Sequence, residues 1–153
     1  MKTTIRVSHD DFDAGAEIRA AAARSPASGA VASFVGIVRN HNDGESILGM
    51  SLEHYPGMTE KALEGIVAKA RERWSLDDVT VIHRVGDLKL GDQIVLCLVC
   101  AAHRREAFEA CEYIMDWLKT EAPFWKKEQT AAGSRWVDAR ESDEAAKARW
   151  QKQ

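Results

Sequence analysis

Residues 102–128, AHRREAFEACEYIMDWLKTEAPFWKKE, constrain the fold more than any other stretch. They read as one amphipathic helix stopped by Pro123. Ala107, Phe108, Cys111, Met115 and Leu118 recur at three- and four-residue steps on one face, which other elements must cover. The charges sit where helix electrostatics alone would not put them. His103, Arg104 and Arg105 occupy the first turn, although a helix N-terminus carries about +0.5 of an elementary charge and favours carboxylates. Free N–H groups beside a cationic cluster suit a phosphate or carboxylate. Lys119 falls on the last turn, with Phe124, Trp125, Lys126 and Lys127 directly after it. A solvated charge run is the ordinary alternative. Anion-binding groups at one end and two amines beside aromatics at the other favour a site.

Ahead of this helix, Ile94 to Ala102 is an apolar run that reads as a buried strand. It carries Cys97 and Cys100, a spacing that on a strand puts the thiols on opposite faces, where they cannot share a metal ion. Further strands are expected over Thr3–Val7, Ala30–Val38, Ile47–Tyr55, Val79–Val85, Phe124–Gln129 and Arg135–Ala139, the last two joined across Gly133. Ala30–Val38 and Ile47–Tyr55, separated by the polar loop Arg39–Ser46, are expected to pair as a hairpin with a long tip. Gly86-Asp87 is expected to turn the chain back toward the long strand Asp92–Ala102. Helices are expected over Ala14–Arg24 and Thr59–Trp74. The second has Thr59 as its cap and a buried stripe of Leu63, Ile66, Val67 and Ala70. The tail from Ser142 is charged and helix-compatible.

Clustered strands, short turns and irregular strand–helix alternation indicate an α+β fold, mostly antiparallel, rather than a doubly wound sheet. With 153 residues, 45% hydrophobic and 29% charged, residues 1–153 are expected to form one domain with a real core. A net charge of −3 argues against a general nucleic-acid binder. No apolar run approaches the roughly 20 residues that span a bilayer. The N-terminus lacks an apolar export segment, and three cysteines, an odd count, point to a reducing compartment, the cytoplasm.

Arg39 closes an apolar strand and opens a loop, a common place for a functional cation. His41, His54 and His83 read as isolated surface or half-buried histidines. Glu53 and His54 should point to opposite faces of their strand. Gly36 marks a bulge or a close packing point. Nothing resembles a Ser-His-Asp arrangement or a Gly-rich phosphate loop.

In order, Phe34–His41 (FVGIVRNH), Leu52–Met58 (LEHYPGM), Val81–Gly86 (VIHRVG), Ala102–Arg104 (AHR) and Leu118–Lys126 (LKTEAPFWK) resemble the large, catalytic subunits of molybdopterin synthases. The resemblance runs from about Ser33 to Trp150. It implies an α/β-hammerhead fold and a homodimer. Each copy of that dimer binds a small ubiquitin-like sulphur carrier ending in Gly-Gly, making a heterotetramer. The carrier's C-terminal thiocarboxylate delivers sulphur to cyclic pyranopterin monophosphate. Two transfers, with opening of the cyclic phosphate, give the dithiolene of molybdopterin, and the enzyme needs neither metal nor organic cofactor.

Residue by residue, the resemblance makes Lys119 and Lys126 the catalytic lysines and Arg39, His103 and Arg104 the substrate-anion pocket. Ile37 and Val38 offer backbone groups beside Arg39, and Lys127 and Glu128 flank Lys126. Phe34 and Met115 form the apolar wall, and Arg140 reaches the pocket from the same or the opposite subunit. The chemistry agrees: a thiocarboxylate approaching a cyclic phosphate needs cations to offset the repulsion of two anions. Desolvated lysines beside aromatics can exchange protons near neutral pH. Lys119 is expected to contact the thiocarboxylate and stabilise its acyl transition state, Lys126 to position substrate and move a proton. Two other readings are open: a non-enzymatic module that docks a ubiquitin-like tail, and a partner-independent hydrolase or lyase for a small phosphate ester. Five tryptophans further suggest a subunit boundary near Trp125, Trp136 or Trp150.

Overall fold

The apolar run forms the strand Gln93–Ala101, and helices cover both of its faces. The computed structural model describes residues 1–42, 45–137 and 141–151. In chain order the elements are β1 (Lys2–Ser8), α1 (Ala14–Arg24), β2 (Ala30–Ile37), β3 (His41–Asn42), β4 (Glu45–Ser46), β5 (Gly49–His54) and α2 (Met58–Arg73). They continue with β6 (Asp78–Arg84), β7 (Gly86–Lys89), β8 (Gln93–Ala101), α3 (Arg104–Glu121), β9 (Phe124–Thr130), β10 (Gly133–Val137) and α4 (Glu141–Gln151). One sheet has the order β1-β6-β8-β2, a second the order β10-β9-β5-β7. Only β1 and β6 run parallel within these two sheets; the α+β, mostly antiparallel expectation holds.

Alternation along β8 divides the first sheet's two cores. Val95, Cys97 and Val99 face α2 and α3, joining Leu63, Ile66, Val67, Ile114, Met115 and Leu118. Leu96, Leu98 and Cys100 face α1 and Ala21. Cys97 and Cys100 therefore lie in different clusters, as strand geometry requires. The Arg24 guanidinium meets the fully buried Asp78 carboxylate at 2.8 Å and ties α1 to this sheet.

Several boundaries differ from expectation, each for a physical reason. β2 does not pair with β5. β2 instead completes the first sheet as its edge strand beside β8, with Ala32 touching the α3 side, Val35 the α1 side, and Val31, Phe34 and Ile37 exposed. β5 has one apolar face, Met50 and Leu52, and lies between β7 and β9. Within the expected loop, β3 and β4 pair as a small ladder of their own. Gly86 does not turn the chain back; with φ +86° it opens β7 and carries the chain into the second sheet. The reversal comes at Gly91, φ +84°, where the Asp92 N–H donates to the Lys89 carbonyl at 3.0 Å.

Gly57, not Thr59, caps α2, and its N–H donates to the Glu60 carboxylate. Phe108 is 65% exposed: the stripe of α3 runs through Ala107, Ala110, Cys111, Ile114, Met115 and Leu118, and Phe108, about 100° round the helix from Ala107, falls at its outer edge in the first turns. Trp150 is buried in this chain's own core. Among the described residues no helix is long and apolar enough to cross a membrane.

Candidate active site

The site begins where α3 ends. β8 runs directly into α3, whose Cys111 thiol donates to the Cys97 carbonyl at 3.6 Å, over the strand position paired with Phe34. From that level Arg39 is five residues on, two of them past the end of β2, at most about 16 Å at 3.3 Å each. Lys119 is eight helical residues on, about 12 Å at 1.5 Å each. Strand and helix thus deliver the two cations to one end of the sheet. The electrostatics agree: burial first, then the Lys126 ammonium, and also Arg39 hold the Lys119 ammonium below the ordinary lysine range, while the Asp143 carboxylate opposes them. The Lys119 residue still presents surface to solvent. The residue thus stays at the surface while its ammonium is crowded by like charge.

β9 contributes Lys126 by alternation. Phe124, Lys126 and Glu128 share the face that carries Met50 and Leu52 on β5, Leu52 being paired with Lys126 itself. Glu128 is buried at 2% exposure, with Arg135 at 3.6 Å. Trp125 and Lys127 point the other way, and the Lys127 ammonium lies 5.2 Å from the centre of the exposed Trp136 ring. Lys127 is therefore placed beside Lys126 in sequence but across the sheet from it in space.

Val38 is buried, and its backbone is already used: its N–H donates to the Asp92 carbonyl and its carbonyl accepts from Gly91 N–H, both at 2.9 Å. It holds Arg39 in place rather than offering an N–H to a ligand. Ile37 is 56% exposed at a register shift that begins after Gly36. A Cβ on Gly36 would lie 2.9 Å from Val95 Cγ1 and 3.5 Å from the Phe34 ring, so both sequence readings of this glycine hold. Phe34 is 42% exposed, whereas Met115 points into the core beneath the site.

His103 and Arg104 are not brought to Lys119 in one chain. His103 is the N-cap of α3 and Arg104 its first residue, both exposed. The fifteen helical residues to Lys119 span about 22 Å. Arg140 lies outside the described residues.

Two histidines that read as isolated belong to the surroundings of this site. His83 is 4% exposed, stacks on Phe124 at 3.8 Å and 19°, and has its Nδ1 2.8 Å from the Arg84 carbonyl. Burial lowers its pKa to about 4, with Lys119 and His54 adding repulsion. His54 pairs with Phe124 across β5 and β9, and Glu53 with Trp125, which places them on opposite faces as expected. Nothing local in the sequence links His83 to Phe124, forty-one residues away. Only the meeting of the two sheets does.

Comparison with known proteins assigns the family. The MoaE protein family matches residues 7–121. A "Molybdopterin synthase catalytic subunit" of Ralstonia nicotianae is 65% identical over 147 residues, 96% of this chain and 84% of that protein. The solved "Molybdopterin biosynthesis MoaE protein" of Burkholderia ambifaria superposes with a TM-score of 0.84 at 57% identity, covering 97% of this chain and 98% of that one. A chain in the "Protein-protein complex of subunit 1 and 2 of Molybdopterin-converting factor" of Helicobacter pylori superposes with a TM-score of 0.70 at 25% identity, over 90% and 91%. The chain belongs to the MoaE family.

Proposed function

We propose that this member of the MoaE family works as the catalytic subunit of a molybdopterin synthase, an enzyme of molybdenum cofactor biosynthesis, in the cytoplasm. It takes sulphur from the C-terminal thiocarboxylate of a small ubiquitin-like partner and delivers it to cyclic pyranopterin monophosphate. The observation that carries this reading is the meeting of Lys119, Lys126 and Arg39 at one end of the first sheet, with Lys119 held below its ordinary pKa. Three cations offset the repulsion between an incoming thiocarboxylate and a cyclic phosphate. A lysine whose ammonium is destabilised gives up its proton more readily than a free one. Lys119 contacts the thiocarboxylate, Lys126 positions the pyranopterin and moves a proton, and Arg39 holds the phosphate.

The relative from Helicobacter pylori is seen in a complex of two subunits, which supports a small partner here. The separation along α3 supports a dimer: His103 and Arg104 of a second copy would complete the anion site that one chain leaves open. Ile37, Lys127, Glu128 and Arg140 remain part of the proposed substrate surroundings through the family resemblance.

The test is product analysis of the purified chain with pyranopterin, with and without thiocarboxylated carrier. Lys119→Ala is expected to lose about 10²–10⁴-fold in turnover, the usual contribution of a positioned acid–base group. It should fold normally, because a cation at a helix C-terminus contributes only about 0.3–1 kcal/mol. Near-normal turnover by Lys119→Ala would sink the assignment. Turnover of pyranopterin without carrier would favour the hydrolase or lyase reading, and carrier binding without any product would favour the docking module.

A further inference from the structure

The segment joining the two lysines leaves α3 at Glu121 and enters β9 at Phe124. Three consecutive residues in it are gripped by different parts of the fold. The Pro123 carbonyl accepts from the Thr59 hydroxyl at 3.2 Å, and that hydroxyl oxygen accepts from the Tyr55 N–H at 3.2 Å. The Phe124 ring lies on His83 at 3.8 Å, nearly parallel. The Trp125 ring meets Tyr55 edge-on at 4.8 Å.

Thr59 has no exposed surface, so its hydroxyl would cost stability if it were not paired. Its two bonds join the N-terminus of α2, the end of β5 and the lysine-bearing segment. His83 is fixed in turn: a carbonyl can only accept, so Nδ1 carries the proton donated to Arg84, which sets the ring plane against Phe124. Through these contacts two buried side chains, neither of them a cation of the site, hold the chain between the Pro123 stop of α3 and the first residue of β9. The separation of Lys119 and Lys126 follows from that.

We propose that Thr59 and His83 are positioning residues for the lysine pair, clamping the Pro123-Phe124 segment so that both amines face one reacting centre. The inference rests on the reading of Lys119 and Lys126 as the catalytic pair. It concerns geometry: displacing a reacting group by about 1 Å costs on the order of 10²-fold in rate.

The test uses the complete enzyme with its thiocarboxylated carrier and separates kcat from KM. Thr59→Val keeps the volume and removes the hydroxyl, whereas Thr59→Ser keeps the hydroxyl and removes a methyl. Thr59→Val is expected to lose about tenfold or more in kcat, with KM for the carrier within about twofold, and Thr59→Ser to retain most of the wild-type kcat. His83→Phe, which keeps the stack, is expected to retain more kcat than His83→Ala; this pair decides the question if Thr59→Val does not fold. Wild-type kcat in Thr59→Val, or equal losses in Val and Ser, overturns the clamp, as do equal losses in His83→Phe and His83→Ala. Lys119→Ala and Lys126→Ala run in the same assay keep the two claims apart. Active lysine variants sink the site itself, whereas inactive lysine variants with a normal Thr59→Val sink only the clamp.

Discussion

Burial holds the His83 imidazole down to about 4 from an ordinary 6.5, so it stays neutral in the folded chain at pH values where it would be half charged when unfolded. Between those two values the unfolded chain binds the extra proton, so stability falls as pH drops from about 6.5 toward 4 and is unaffected by this group above that window. The shift corresponds to roughly 3 kcal/mol at the acid end. His83→Phe has no such proton to bind. Urea midpoints measured at pH 7 and pH 4.5 are therefore expected to fall less in His83→Phe than in the wild type. Parallel acid losses in the two proteins would show that the ring is not held neutral. Lys119 obeys related physics with a different outcome, since it remains reachable from solvent and its neighbours are the charges of the site.

At the scale of elements, α4 is attached to α3 and the end of α2 by side chains. Lys147 meets Glu121 at 2.7 Å, Arg149 meets Glu112, and the Trp150 indole N–H donates to Asp116 at 2.6 Å. The Trp150 ring stands edge-on to Tyr113 and Trp74 at 5.4 and 5.8 Å, with the Arg73 guanidinium 5.2 Å from its centre. These contacts run antiparallel to α3 and bring Asp143, one turn before Lys147, toward Lys119. An isolated helix of eleven residues is marginal in water, so α4 owes its helix to this docking. Trp150→Ala removes the anchor, a change that costs about 3–5 kcal/mol for a buried tryptophan. Limited proteolysis with mass analysis is expected to release the C-terminal segment much faster from Trp150→Ala while the rest resists. Equal resistance would mean that the ion pairs alone hold α4.

For the whole molecule, α3 is a rod with Lys119 at one end and His103 and Arg104 at the other. If a second copy brings its His103 and Arg104 to the first copy's Lys119, two inactive variants should complement each other. Lys119→Ala mixed with Arg104→Ala under subunit exchange regenerates one intact site in each mixed dimer. Activity is expected to recover to about a quarter of wild type at equal amounts. No recovery in dimers shown by mass to be mixed would place His103 and Arg104 outside the site. Phe34, Ile37, Trp125 and Trp136 are exposed, and side chains of this kind are enriched at interface centres.

Local pattern was enough for the buried strand β8, the stripes of α2 and α3, the stop at Pro123 and the cations at both ends of α3, because each depends on residues within one or two turns of one another. The opposite facing of Cys97 and Cys100 follows in the same way from strand alternation. Which strands pair did not. β2 and β5 look like a hairpin because they are neighbours in sequence, yet β2 pairs with β8, where Ala32 and Val35 reach the two cores, and β5 pairs with β7 and β9. The tertiary structure likewise decided that His83 packs on Phe124, that Thr59 holds Pro123 instead of capping α2, and that Trp150 is core. It also decided that Arg39 joins Lys119 while Arg104, on the same helix as Lys119, does not. Residue type announces which chemistry a side chain can do, but distance between groups far apart in the chain is set by packing, and only the packed chain contains it.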